Sequence, residues 1–340
     1  MRLDELEFPY PEALVATERR TPSRVMLVEA DGPPVELATG TQALIDRLAP
    51  GDVVVINETR VLKRRVFDDA GFEVLFLSSG PGEREWDVLC PVSRWKAGDR
   101  LRLPGDVELE LFQGGRPQRV RSSKPLDASY FERHGEMPLP PYILKARGER
   151  HARAGDVESY QTAWAEQDGS LAAPTASLHF SQGDLRAIAN RGASVVRLTL
   201  HVGLGTFLPV TTPLLGDHPM HAEQAEIAGS AWRAVRGARG RVWALGTTVA
   251  RTLESAALGL LAPADDGGFR GSTDLFIRPG FEYKVVGGLI TNFHQPRSTL
   301  LALVAAFAPG GLSQVRSCYA WAIERRFRLF SYGDLSAWIR

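Results

Sequence analysis

The sequence predicts an α/β fold: a main mixed-sheet α/β domain carrying an inserted, mainly antiparallel β-barrel-like domain. Three observations point there. Residues 53–56 read VVVI, a continuous β-branched run of the kind that fills a buried strand. Between about 67 and 125 the pattern changes to short, partly alternating stretches broken by Gly and Pro, the spacing of an all-β module. From 180 onward strand-like and helix-like runs alternate, as in a core sheet with helices packed on it. On this reading residues 1–66 and 151–340 form the main domain and 67–150 the insertion.

The elements follow in order. GDVVVINETRVLKRRV, residues 51–66, opens with a turn, continues as a buried strand and leaves a polar end at Asn57, Glu58, Thr59 and Arg60. FEVLFLSS, EWDVLCPV, DRLRLPG, VELELFQGG and RPQRVRSS then supply the strands of the insertion. A proline-rich segment, PLPPYI, runs into an Arg-rich one before the α/β pattern resumes. FSQGDLRAIANRG is a helix with Ser181 as N-cap, Asp184 three residues later and Gly192 past its end. SVVRLTLHV is the next strand, its alternation putting Val196, Leu198, Leu200 and Val202 on one face and Val195, Arg197, Thr199 and His201 on the other. RVWALGTT with TVARTLESAALGLL, and LITNFHQ with RSTLLALVAAFA, are two further strand-loop-helix units; Pro296 turns the second and Ser298 or Thr299 caps its helix.

A 340-residue chain that is 44% hydrophobic can bury a sizeable core. Lys+Arg and Asp+Glu both number 40, so any charged binding face must be local. Cys90 and Cys318 lie far apart with no C-x-x-C, which removes disulfide frameworks, zinc ribbons and cysteine-ligated clusters from consideration and fits a reducing compartment. The start lacks a basic and an apolar leader region, and the longest apolar run, LLALVAAFA, is about half the ~20 residues of a spanning helix. The expectation is a cytoplasmic protein with no membrane partner, its oligomeric state open and a monomer favoured.

Functional groups gather in a few places. His201 ends a polar strand face just before Gly203 and Gly205; the glycines either form a turn or let the backbone approach a ligand. Thr175, Ser177 and His179 precede a helix start, where a capped turn or an anion site is possible. His218, His221 and Glu223 have too few ligands for a closed zinc site, and no metal is expected. Thr247 and Thr248 open a helix with Arg251 one turn on, and serve either as caps or as an anion site. Arg325, Arg326 and Arg328 form a basic patch or a solvated face. Between 271 and 308 the chain packs Asp274, Arg278, Asn292, His294, Arg297, Ser298 and Thr299, more polar groups than a turn and a cap require.

Taken in order over nearly the whole chain, NETRV, PLPPYI, YQT with AAPTA-x-LHF, HVG-x-GTF, MH-x-E, GTT-x-x-RTLES, G-x-TD-x-FI-x-PG, LITNFH-x-P-x-ST and FSYGD resemble the S-adenosylmethionine:tRNA ribosyltransferase-isomerase family of the queuosine pathway. The resemblance implies a ribosyl donor, S-adenosylmethionine, and a tRNA acceptor whose wobble position carries 7-aminomethyl-7-deazaguanine. The product is epoxyqueuosine in tRNA, with adenine and methionine released. The sulfonium acidifies its neighbouring methylene, so a positioned base and a dry pocket are needed.

The resemblance assigns His179, His201, His221 and His294 to the catalytic set without saying which is the base. It assigns Thr175, Gly203, Gly205, Thr206, Thr247 and Thr248, with Asp274, Asn292, Ser298 and Thr299, to the donor pocket. It leaves Asn57, Thr59, Arg60, Lys63, Arg64 and Arg65, with Arg251, Arg325, Arg326 and Arg328, for the RNA. For His294 the expected environment is incomplete burial at a helix N-terminus that keeps the imidazole neutral. Ser177 stands where the family has glycine, Ser159 where it has arginine, and the stretch before Val25 is short, keeping only Arg20, Ser23 and Arg24. The rival readings are an ordinary S-adenosylmethionine methyltransferase, which lacks its glycine-rich loop here, and a non-catalytic RNA-binding paralogue, which would have lost the histidines.

Overall fold

The computed structural model describes residues 1–30, 32–91, 95–207 and 210–340, the side chains of Pro81, Thr206 and Phe207 excepted. Thr206 is thus the one expected site residue whose side chain lies outside the described residues.

The chain begins with β1 (Val25–Glu29), β2 (Val35–Leu37), α1 (Thr41–Asp46), β3 (Val53–Asn57) and β4 (Thr59–Val61). It continues through β5 (Arg65–Phe67), β6 (Glu73–Ser79), β7 (Glu85–Leu89), β8 (Arg100–Leu103), β9 (Val107–Gln113) and β10 (Gln118–Ser122). Then come α2 (Ala128–His134), α3 (Pro141–Arg147), α4 (Asp156–Ser159), β11 (Gln167–Ser170), α5 (Gln182–Asn190) and β12 (Ser194–Leu200). β13 (Glu223–Ile227), α6 (Gly229–Arg236), β14 (Val242–Leu245), α7 (Thr247–Ala257), β15 (Ala262–Pro263) and β16 (Phe269–Thr273) follow. β17 (Gly288–Asn292), α8 (Thr299–Phe307), α9 (Gly311–Glu324) and β18 (Leu335–Ile339) complete it.

Among the described residues ten strands make one mixed sheet in the order β15-β16-β13-β12-β3-β14-β17-β18-β1-β2. Its centre, β12-β3-β14-β17, is parallel. β3 is apolar from Val53 to Ile56 because both faces are covered: Val53 and Val55 pack toward α7, α8 and α9, Val54 and Ile56 toward α1 and α5. Ser181 and Asp184 form the reciprocal cap that starts α5, with Asp184 N donating to Ser181 Oγ and Ser181 N to Asp184 Oδ2. The alternation along 195–202 is also met, with Val196, Leu198, Leu200 and Val202 in the core.

The second sheet is antiparallel, in the order β5-β6-β7-β10-β9-β8, and curls nearly closed around its own core. Phe76, Trp86 and Phe131 meet edge to face there, with centroids 5.1 to 5.5 Å apart. α2 supplies Tyr130 and Phe131 to that core, whereas Ile143 and Leu144 of α3 pack with Val61, Tyr160, Leu178 and Tyr332. No single helix among the described residues is long and apolar enough to cross a membrane.

Candidate active site

Four parallel strands end side by side, and in open α/β sheets the crevice outside such carboxyl ends is where ligands bind. β3 delivers Asn57 and Thr59, β12 delivers His201, β14 leads through Gly246 to Thr247 and Thr248, and β17 delivers Asn292 and His294. A 3-10 turn, Thr175–His179, lies against the end of β17. Sequence motifs tens to hundreds of residues apart become neighbours for this reason alone.

Asn57, fully buried, ties the strand ends together. Its Nδ2 donates to Leu200 O (2.9 Å) and Thr248 Oγ1 (3.3 Å), and its Oδ1 accepts from Thr59 N and Leu200 N (3.1 Å each). With its amide so engaged it shapes the crevice floor.

His201 sits on that floor. Thr59 Oγ1 and His201 Nδ1 are 2.8 Å apart, while Nε2 makes no hydrogen bond among the described residues. The ring lies on the backbone of Gly169, where φ is +150° and an added Cβ would come within 2.7 Å of Nδ1. Partial burial lowers its pKa, with Asp168 and Glu226 pulling the other way. The result is a half-buried imidazole with one nitrogen anchored and one free.

His179 is the opposite case. Thr175 Oγ1 donates to Asn292 Oδ1 (2.7 Å), which turns Asn292 Nδ2–H toward His179 Nε2 (3.3 Å). Nε2 is therefore the acceptor, and Nδ1–H donates to Ser23 Oγ (2.5 Å), which passes its own proton to Arg20 O (3.2 Å). Burial drives the imidazole down to about 3, and the charges of Arg19 and Arg328 add to the effect. His179 is thus neutral, satisfied at both nitrogens, and holds Asn292 and the 20–24 segment in place.

His294 differs from the sequence expectation. It is 7% exposed, so burial is nearly complete, and burial, not a helix terminus, pushes its pKa down to about 3. Thr291 Oγ1 lies 2.9 Å from its Nε2, and its backbone N–H donates to Tyr319 Oη at 3.0 Å. Nearby, Ser298 caps α8: its hydroxyl accepts from Leu301 N (3.2 Å) and donates to Gln295 O (2.7 Å). Thr299 is the first residue of that helix, and Asp274 is exposed past the end of β16.

Gly203 and Gly205 have no positive φ, and a Cβ at either would meet only ordinary contacts, with Glu223 and His221 respectively. Packing among the described residues does not demand glycine at these positions. Glu223, considered as a metal ligand from the sequence, is spent elsewhere. Its Oε1 accepts from Gly203 N (2.9 Å) and its Oε2 pairs with Arg251 Nη1, both side chains being buried. Arg251 Nε also donates to Leu275 O (3.1 Å), so this residue braces the 203 loop from within. Among the described residues no three His, Cys, Asp or Glu side chains gather as metal ligands would.

The basic residues expected to face RNA divide. Arg60 pairs with Asp168 (3.3 Å), Lys63 with Glu132 (2.7 Å), and Arg65 makes a two-pronged contact with Glu73 (2.7 and 2.9 Å). Arg64 is stacked on Phe131 and Trp86, and Arg325 on Trp321. Arg326 and Arg328 line an open cleft instead. Ser23, Gly169, Thr291 and Arg19 were not picked out as site residues from the sequence. Only Ser23 carried a signal, as part of the shortened segment that keeps Arg20, Ser23 and Arg24.

Fold and site together define an α/β protein whose parallel strands bring polar side chains and the neutral imidazoles of His179 and His294 together at their carboxyl edge. The chain belongs to the family described as queuosine biosynthesis protein, whose model matches residues 3–337. It is similar to S-adenosylmethionine:tRNA ribosyltransferase-isomerase of Geobacter sulfurreducens, 41% identical over 98% of each chain. The protein of the same name from Halothermothrix orenii is 40% identical, again over 98% of each. The crystal structure of S-adenosylmethionine tRNA ribosyltransferase from Thermotoga maritima is similar with a TM-score of 0.55 and 28% identity, covering 98% of this chain and 100% of that one. Nothing in the fold or these relatives favours the methyltransferase or the non-catalytic reading.

Proposed function

We propose that this chain is an S-adenosylmethionine:tRNA ribosyltransferase-isomerase of the cytoplasm. It transfers and isomerises the ribosyl group onto 7-aminomethyl-7-deazaguanine at the tRNA wobble position, giving epoxyqueuosine. Its inserted sheet forms a second domain. The observation that carries the reading is the full-length match to relatives of that name, joined to a crevice whose imidazoles are held neutral. S-adenosylmethionine supplies a sulfonium that acidifies the adjacent ribose methylene. The residues fit such a cationic donor: His179 and His294 are uncharged, and Asn292 Oδ1 and Thr175 Oγ1 are neutral polar oxygens beside them.

His201 acts as the proton acceptor. Thr59 anchors its Nδ1, its Nε2 is free, and a lowered pKa keeps it unprotonated near neutrality. Asn57 and Gly169 fix the height and tilt of the ring, and the Glu223–Arg251 pair holds the 203 loop over it. His179 works as a positioning residue through Asn292. The test is incubation of the protein with S-adenosylmethionine and hypomodified tRNA, with nucleoside mass analysis and adenine quantified. Adenine release together with the mass gain at the deazaguanine supports the reading; a methylated nucleoside, or neither product, refutes it.

A further inference from the structure

A cleft of ≈ 560 Å³ runs between residues 13–18 and the turn at 326–328, with Arg20, Pro22, Arg24 and Asp334 on its walls. Its charges do not cancel. Arg24 is committed to Glu36 through two contacts of 2.6 and 2.7 Å. Glu18 pairs with Arg153 (2.8 Å), outside the cleft lining. Asp334 is occupied by the backbone N–H groups of Arg24 (3.1 Å) and Arg328 (2.8 Å). Arg20 and Arg326 are exposed and form no ion pair among the described residues, and Arg328 reaches only the carbonyls of Glu18 (3.0 Å) and Tyr332 (2.9 Å). Three guanidinium groups therefore share one open cleft in which Glu18 is paired with Arg153 and Asp334 alone, held by two backbone N–H groups, acts on Arg328, so positive charge is in excess. Burial lowers the pKa of Arg328, Asp334 pulls it back in part, and Arg20 lowers it further, a repulsion that a bound anion would relieve.

The inner end of this cleft adjoins the crevice. Arg328 is close enough to press on the His179 imidazole, and Ser23, which accepts from His179, is bonded in turn to the backbone of Arg20. We propose that the Arg20–Arg326–Arg328 cleft seats RNA backbone phosphates next to the nucleotide being modified, so that the shortened 13–24 segment is the anchor that delivers the target base to the crevice. This rests on the tRNA reading above and assigns the phosphate contacts to a face different from the Arg60–Arg65 run, whose charges are paired or stacked. Planar guanidinium forks suit phosphate oxygens, and such contacts position the RNA without reading its sequence.

The test uses the double variant Arg20→Ala with Arg326→Asn; Asn is chosen because φ at 326 is +57°, a conformation Asn tolerates. Binding of hypomodified tRNA is titrated over a salt series, and turnover is followed by adenine release. The slope of log K against log salt should fall by about 1.5, and KM for tRNA should rise roughly 10-fold or more. KM for S-adenosylmethionine, and kcat at saturating tRNA, should stay within about 2-fold. Arg102→Ala, whose partner is Asp106 on the inserted sheet, is the control and should leave the slope unchanged. An unchanged slope in the double variant, or a defect confined to S-adenosylmethionine KM, overturns the proposal. If wild-type protein binds tRNA but releases no adenine, the functional reading fails while the slope still decides the cleft.

Discussion

Replacing Gly169 by alanine tests whether the His201 ring must stay where it is. An added Cβ would lie 2.7 Å from His201 Nδ1 and 2.8 Å from its Cε1 and Cγ, against the roughly 3.5 Å at which such atoms rest. The ring must retreat by about 0.7 Å or more, which strains or breaks the 2.8 Å contact to Thr59. A displacement approaching 1 Å at an acid–base group costs on the order of 10²-fold in rate. Alanine at φ +150° adds backbone strain of about 1–2 kcal/mol, a loss of a few degrees in Tm. The expected signature is thus a large fall in single-turnover adenine release at saturating donor and tRNA, with a small fall in melting temperature. Thr59→Val, which keeps the shape but loses the hydroxyl, should reproduce part of the rate loss. Turnover of Gly169→Ala within about 2-fold of wild type would refute the assignment of His201 as proton acceptor.

Other consequences follow from burial. His294→Ala should lower Tm by several degrees, as expected for a buried, hydrogen-bonded ring, and leave turnover per folded molecule within a few-fold; unchanged Tm with a hundred-fold rate loss would make it catalytic. His179 and His294 have folded pKa values of about 3, below the unfolded value, so their contribution is complete above about 6.5 and is lost as pH falls. Urea titrations should show roughly 2 kcal/mol lost per histidine between pH 7 and 5, and the pH dependence should weaken when either is replaced by a non-titrating residue. Ser177 is fully buried and its hydroxyl has no partner among the described residues, so Ser177→Ala should stabilise the protein by about 1 kcal/mol in the same titration; a loss would reveal a partner for the hydroxyl.

The sheet was legible where local pattern and tertiary environment agree. The run at 53–56 is apolar because both faces of β3 are covered, and the Ser181–Asp184 cap is a four-residue signal that needs no distant partner. The candidate site was legible as a set of motifs but not as a geometry. His179 is held by Ser23 and Asn292, 156 and 113 positions away, and no local spacing records such a pairing. The charges misled for a related reason: Lys63 and Arg65 look like a basic face, yet Glu132 and Glu73 arrive from α2 and the neighbouring strand to pair with them. Glu223 looked like a ligand beside two histidines, and became a brace once α7 brought Arg251 beneath it.

β18 lies between β17 and β1, so residues 335–339 are what join the first strand to the rest of the sheet. During synthesis β1 has only β2 to pair with for some 300 residues, and a lone hairpin is marginal in water. At 5–20 residues per second that interval is about 15–60 s. Throughout it Val25, Met26, Leu27 and Val28, each at most 1% exposed in the finished fold, have no sheet to enter. This short apolar run therefore waits without its β18 partner until residues 335–339 have been made.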